Sequence, residues 1–271
     1  LHQFRSRYHR EEVTNNRGGW AKLEFSKTEH LTSEGYFTYL KEFKGGHSLN
    51  AVAGYSYFEK NGENFNAENY DFGVEGLKYW DLESGSYLTD GKAKMGSKKD
   101  ITERLFALYA RANYSYNDKY MVTATIRHEG SSKFAAENRW GNFWALSGGW
   151  RVSGEEFMKE FDWVNDLKIR FGYGVTGNND FDASYMANTL SRDQYWMLPS
   201  GSWAFVYGPS SNVNPYLGWE EKKEWNIGVD YSFFGNRMYG KFDYYRRKID
   251  GMIYEVNVPQ PPYPNGKQWQ N

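Results

Sequence analysis

Cysteine is absent from the 271 residues. Neither a disulfide framework nor a thiolate metal site can form. Long apolar runs are missing too. Nothing approaches the ~20 residues of a membrane-spanning helix, and mean hydropathy is −0.84. That absence does not exclude a β-barrel, whose strands put only alternate residues into lipid. Charge of one sign is lacking: 33 Lys and Arg face 34 Asp and Glu, for a net charge of −1. With no basic excess and no basic run, the chain does not read as a nucleic-acid binder. The five histidines, His2, His9, His30, His47 and His128, are scattered. No HExxH or close pair marks a zinc site, and no G-x-S-x-G elbow marks a serine nucleophile. Carboxylates are plentiful, but no pattern singles out a glycosidase pair. The opening LHQFRSRYHREE is charged and has no apolar signal-peptide core. An exported protein would therefore be mature or truncated here. Neither an enzyme nor a cofactor is expected.

What is present is aromatic and alternating. Tyr, Phe and Trp make up 19% of the chain, which suits a barrel with aromatic girdles or a sugar binder. Within Leu167 to Thr176, LKIRFGYGVT, apolar Leu167, Ile169, Phe171, Tyr173 and Val175 alternate with Lys168, Arg170, Gly172, Gly174 and Thr176. Period two means a strand with one apolar and one wet face. The same pattern places Phe106, Leu108, Ala110, Ala112, Tyr114 and Tyr116 on one face of their strand. Val122 and Ile126 share a face of the next, and Trp225, Ile227, Val229, Tyr231 and Phe233 share a face of a later one. The opposite faces carry charges that fit a wet lumen better than a dry core.

Eight strands are expected in four pairs. Leu31–Phe43 and His47–Lys60 are joined at Lys44-Gly45-Gly46. Thr102–Tyr116 and Lys119–Glu129 are joined at Asn117-Asp118. Phe143–Ser153 and Val164–Thr176 are linked through a short helix at Glu155–Phe161. Glu224–Phe233 and Arg237–Lys248 are joined at Phe234-Gly235-Asn236. Gly, Asn and Asp are the residues tight hairpins require. The other connections, Asn61–Ile101, Gly130–Asn142 and Gly177–Lys223, are long and irregular, as are both ends, Leu1–His30 and Gly251–Asn271. Within Leu1–His30, Trp20–Thr28 reads equally as strand or loop. Strict alternation of short and long connections sorts tight turns to one end and long loops to the other, as in transmembrane barrels.

Several motifs have plainer readings. Gly172, Gly174 and Gly177 match G-x-G-x-x-G, but a dinucleotide site needs a helix to follow, and a loop follows here. Asn178, Asn179, Asp180 and Asp182 offer oxygen ligands for calcium, yet match no EF-hand and read as a solvated turn. Pro259-Gln260-Pro261-Pro262-Tyr263-Pro264 reads as a stiff polyproline-like segment. Tyr195, Trp196, Trp203, Phe205 and Tyr207, with Tyr79 and Trp80 in an earlier loop, suit sugar or peptide ligands. They would serve equally as cores for long loops. With Asp180, Asp182 and Arg192 nearby, the later aromatics are the expected ligand- or partner-contacting residues.

A family resemblance rests on many segments in order. They include Tyr114–Tyr120, Thr123–Arg127, Gly130-Ser131-Ser132-Lys133-Phe134, Asn138-Arg139-Trp140-Gly141, Gly149–Ser153 and Asp166–Asn178. Asn214-Pro215, Trp219-Glu220, Glu224–Asp230 and Asp243-Tyr244-Tyr245 follow, with His47–Tyr55 upstream. The chain resembles the barrel of SusC/RagA-type TonB-dependent transporters. It departs from the family at His128-Glu129, where Arg-Asp is usual, and at the loop tips.

The resemblance implies an all-β, antiparallel, up-and-down transmembrane barrel with short periplasmic turns and long extracellular loops. The eight strands would be part of a barrel of about twenty-two, and residues 1–271 an internal piece lacking the plug and the remaining strands. It further implies import of an oligosaccharide or peptide across the outer membrane of a Bacteroidetes-like bacterium. The implied partners are a SusD-like surface lipoprotein, the rest of the barrel and plug, TonB–ExbB–ExbD, and outer-membrane lipid. Two other classes fit the residues alone: a complete small barrel serving as adhesin or structural protein, and a soluble β-rich carbohydrate-binding or hydrolytic domain. The barrel reading requires Val122, Ile169, Phe171, Ile227 and Val229 to lie outside any closed core.

Overall fold

The computed structural model describes residues 1–182 and 190–271, with the side chains at 191–194 outside the description. Two compact units divide the chain: Leu1–His30 with Lys60–Thr102, and Leu31–Glu59 with Glu103–Asn271. Two long strands, β2 (Trp20–Phe43) and β3 (His47–Tyr70), contribute to both.

In the first unit, β1 (His2–Arg5) pairs antiparallel with the start of β2, and β4 (Lys94–Lys99) pairs antiparallel with the end of β3. A short helix, α1 (Arg10–Thr14), lies between β1 and β2. Trp20, Ala21, Tyr70 and Phe72 are buried there. Buried Glu12 is paired with Arg17 at 3.0 Å. The Arg17 guanidinium lies 4.8 Å over the Tyr70 ring. The expected loop Asn61–Ile101 is thus partly sheet, and the ambiguous Trp20–Thr28 is strand. Their polar, Asn- and Lys-rich sequences hide the pattern, because ladder hydrogen bonds rather than an apolar face hold these segments.

In the second unit the strands run in sequence order across the sheet: β2, β3, β5 (Glu103–Tyr116), β6 (Tyr120–Ser131), β7 (Trp140–Arg151), β8 (Val164–Asn178), β11 (Glu220–Phe233) and β12 (Met238–Asp250). All eight expected strands are present, and β5–β6, β6–β7, β7–β8, β8–β11 and β11–β12 pair antiparallel. Asn117 and Asp118 adopt φ of 50° and 54°, the two left-handed residues of a hairpin turn whose twist matches its strands. The expected helix at Glu155–Phe161 is instead a pair of 3-10 turns, Val152–Gly154 and Glu156–Met158. One turn each is all that so short a connection accommodates.

The sheet's faces are reversed relative to those of a soluble protein. Val122 is 45% exposed, Ile126 55%, Phe171 51% and Ile227 45%, while Thr123, Thr125 and Arg127 between them are half-buried. Ile169 is also exposed and Val229 half-buried. Register extends this apolar face from strand to strand. Tyr114 lies opposite Val122, Val122 opposite Gly148, Gly148 opposite Phe171, Phe171 opposite Ile227, and Ile227 opposite Tyr244. Aromatics bound it at both ends. Trp144 to Trp150 and Trp225 to Phe233 span about 20 and 26 Å at ~3.3 Å per residue, close to the ~25 Å apolar band of an outer-membrane barrel. No helix among the described residues is long and apolar enough to span a membrane.

At the tight-turn end, Glu155 accepts from the Tyr120 hydroxyl at 2.6 Å and the Trp150 indole at 3.1 Å, with Lys119 at 3.4 Å. The Tyr120 bond foremost, then Trp150, holds the Glu155 carboxyl below the usual carboxylate range, against a lesser effect of burial. A turn carboxylate thereby ties down two girdle aromatics from adjacent strands.

Candidate functional site

The polar face is the first part of the site. Arg170 on β8 donates through Nε and Nη2 to Asp230 on β11, both at 2.8 Å, and through Nη2 to Asp243 on β12 at 2.9 Å. Arg247 pairs with Glu224 at 2.7 Å, Arg127 with Glu129 at 2.8 Å, and Arg151 with Asp166 at 3.3 Å. Half-exposed pairs of this kind contribute ~0–1 kcal/mol each. They order a wet wall more than they stabilise it.

Glycines permit close approach on this face. A Cβ on Gly228 would come within 2.7 Å of the Arg170 guanidinium, and one on Gly172 within 2.4 Å of the Asn226 side chain. Gly172, Gly174 and Gly177 all lie inside β8, so the dinucleotide pattern has neither its turn nor its helix.

The second part is at the long-loop end. Phe134, Phe181 and Leu217 are buried together, with Trp219, Ile253 and Trp269 packed against them. Phe143 at the end of β7 joins through Trp219, ring centroids 5.2 Å apart. Polar bonds lock the same segments. Lys133 donates to the Phe181 carbonyl at 2.7 Å and pairs with Glu103 at 3.3 Å. Asn179 donates to Ser131 at 3.0 Å, and Trp219 to the Arg139 carbonyl at 3.1 Å. Asn271 donates to the carbonyls of Gly218 and Gly251.

This loop core was not anticipated as a unit. Its signal lay in segments carrying the resemblance, Gly130–Phe134, Asn138–Gly141, Asn214-Pro215 and Trp219-Glu220, which sequence order leaves far apart. The proline segment belongs here too. It closes a turn between β13 (Tyr254–Asn257) and β14 (Lys267–Gln270), rather than forming an extended rod. The Val258 N–H donates to the Gly266 carbonyl at 2.9 Å, and the Gln260 side chain to the Pro264 carbonyl at 2.8 Å. Those cross-turn bonds override the extended preference of proline.

The expected contact residues fall mostly on one hairpin, β9 (Leu190–Met197) with β10 (Trp203–Pro209). Gly177–Lys223 is therefore not wholly irregular. Tyr195 lies opposite Phe205 and Met197 opposite Trp203, so these four share one face. The Tyr195 and Phe205 rings are 4.5 Å apart. Trp196 lies on the other face, opposite Ala204. Tyr195, Trp196, Trp203, Phe205 and Tyr207 are all exposed. They form an aromatic surface, not the interior of the loop core. Asp180 and Asp182 are exposed beside buried Phe181, and the Asp180 N–H donates to Asn178. Among the described residues they join no group of three metal-ligating side chains. The Arg192 side chain lies outside the described residues. In the first unit, the Tyr79 ring lies tilted against His2 at 4.9 Å and the Trp80 ring edge-on to it at 5.5 Å, an aromatic cluster made by a residue not singled out from sequence.

Residues 2–271 match the family model described as TonB dependent receptor-like, beta-barrel. TonB-dependent receptor P39 of Formosa agariphila is 34% identical over 238 residues, covering 84% of this chain and 21% of that protein. TonB-dependent receptor SusC of Bacteroides thetaiotaomicron is 33% identical over 184 residues, covering 67% of this chain and 18% of that protein. Among solved structures, one described as the RagAB peptide transporter superposes with a TM-score of 0.74 at 23% identity. It covers 93% of this chain and 26% of that chain. The chain thus spans about a fifth of the curated relatives it matches.

Proposed function

The chain belongs to the TonB-dependent receptor-like β-barrel family, and from that membership and its reversed faces we propose that it forms wall, lumen lining and outer loops of an outer-membrane nutrient importer. The observation carrying this reading is the pairing of an exposed, aromatic-bounded apolar face with a charged, glycine-relieved opposite face. The first suits lipid, and the second suits a solute path. The family is one of receptors, not enzymes.

In this reading residues 1–271 are part of a barrel domain whose plug lies elsewhere in the polypeptide. The long-loop end faces outward in a Bacteroidetes-like outer membrane. A SusD-like lipoprotein covers it, and TonB–ExbB–ExbD supplies the energy through the plug. The imported nutrient is an oligosaccharide or a peptide. The hairpin aromatics Tyr195, Trp196, Trp203, Phe205 and Tyr207, with Asp180, Asp182 and Arg192, contact the solute or the covering lipoprotein. Flat, exposed rings bury apolar ligand surface, and polar groups fix orientation.

Uptake by cells expressing the full receptor tests this. Defined oligosaccharides and oligopeptides would be supplied with and without a protonophore. Expected is protonophore-sensitive uptake of one class, reduced by Trp203→Ala with Phe205→Ala at unchanged barrel abundance. Uptake of neither class, or uptake indifferent to the proton gradient, would overturn the proposal.

A further inference from the structure

The apolar face is not uniformly covered. In the second unit it carries a groove of about 630 Å³ across β2, β3, β5 and β6. Its floor is alanine: Ala51 and Ala53 on β3, Ala110 and Ala112 on β5, and Ala124 on β6. Phe37 wals one side and Ile126 the other. Register holds the floor together, since Ala112 lies opposite Ala124 and Ala110 opposite Ile126. In the row that continues Ala112 and Ala124 across the sheet the residues are large: Leu146, Tyr173 and Trp225. The depression is therefore local, and it lies within the band that meets lipid.

A second feature gives the groove a polar end. Lys41 alternates onto the same face of β2 as Phe37 and Tyr39, two residues nearer the tight turn. Lys44 sits in the turn itself. Both are exposed, and among the described residues neither has an ion-pair partner. Cations at the rim of an apolar band sit at headgroup depth.

We propose that this groove holds one glycerophospholipid of the leaflet at the tight-turn end, an acyl chain over the alanine floor and its phosphate against Lys41 and Lys44. Small side chains let the chain pack into the wall instead of sliding past it, and the two ammonium groups fix its depth. The inference rests on the apolar face lying in lipid, but not on what is imported.

The test uses the full receptor in mild detergent with added palmitoyl-oleoyl phosphatidylethanolamine, read by native mass spectrometry under stepwise activation. Expected is one phospholipid that outlasts the rest. Ala112→Phe, which fills the floor, should lose it. Lys41→Glu with Lys44→Glu should lose it without touching the groove, and this surface variant decides the matter if Ala112→Phe does not fold. Ile227→Phe, on the same face but away from the groove, should retain it. Retention in either folded test variant would overturn the proposal. So would a change in subunit number with no lipid lost, which would make a second copy the occupant. Lost lipid with normal uptake, or lost uptake with retained lipid, separates this inference from the import reading.

Discussion

Glu155 shows how one side chain connects turn, girdle and pH. Its folded pKa is lowered by Tyr120 and then Trp150. A depressed carboxylate contributes stability that is fully present above the unfolded value of about 4.3 and lost as pH falls through the lower folded value. Unfolding of refolded receptor in detergent should therefore show wild type more stable than Glu155→Gln near neutral pH. The gap should close as pH drops below about 4. A gap independent of pH would contradict the charge-based account. Gly46 makes a different residue-level case. It has φ of +82°, and a Cβ there would meet the Asn117 amide oxygen at 1.8 Å. Gly46→Ala should cost about 1–3 kcal/mol in denaturant titration, whereas Gly235→Ala, with nothing within 4 Å, should cost only its left-handed backbone strain.

At the scale of one element, β8 makes the strongest claim. Single cysteines can be placed from position 167 to 176 of this chain, which has none of its own, and spin-labelled in refolded receptor cleared of any other cysteine. Labels at Ile169, Phe171 and Tyr173 should be accessible to oxygen, and those at Lys168, Arg170 and Gly172 to a water-soluble relaxant, alternating with period two. A uniform profile along the strand would reject the wall geometry. The strands β2, β3, β5 to β8, β11 and β12 were legible because apolar residues recur along each with a period of two. β1, β4, β13 and β14 were not, being short and polar; nor was β9–β10, whose aromatics masked its alternation. The extension of β3 to Tyr70 was hidden for the same reason. Pairing, not side-chain pattern, makes those segments strands.

For the second unit as a whole, the loop core joins what sequence separates. Leu217 is fully buried against Phe134 and Phe181. Leu217→Ala should cost about 2–5 kcal/mol and loosen the outer loops, which hydrogen exchange on residues 131–139 and 212–219 would show. Unchanged protection there would mean the loops do not rely on this core. Strand periods, turn chemistry, the sorting of short and long connections and the family resemblance are all readable along the chain. Those are local properties, written within a few residues of one another. Folding alone sets which aromatics close the loop core and which lie on an exposed hairpin. It also placed Arg170 between two carboxylates and gathered five alanines from three strands into one groove. Such assignments depend on register and on contacts between residues far apart in the chain, which alternation within a single strand does not encode.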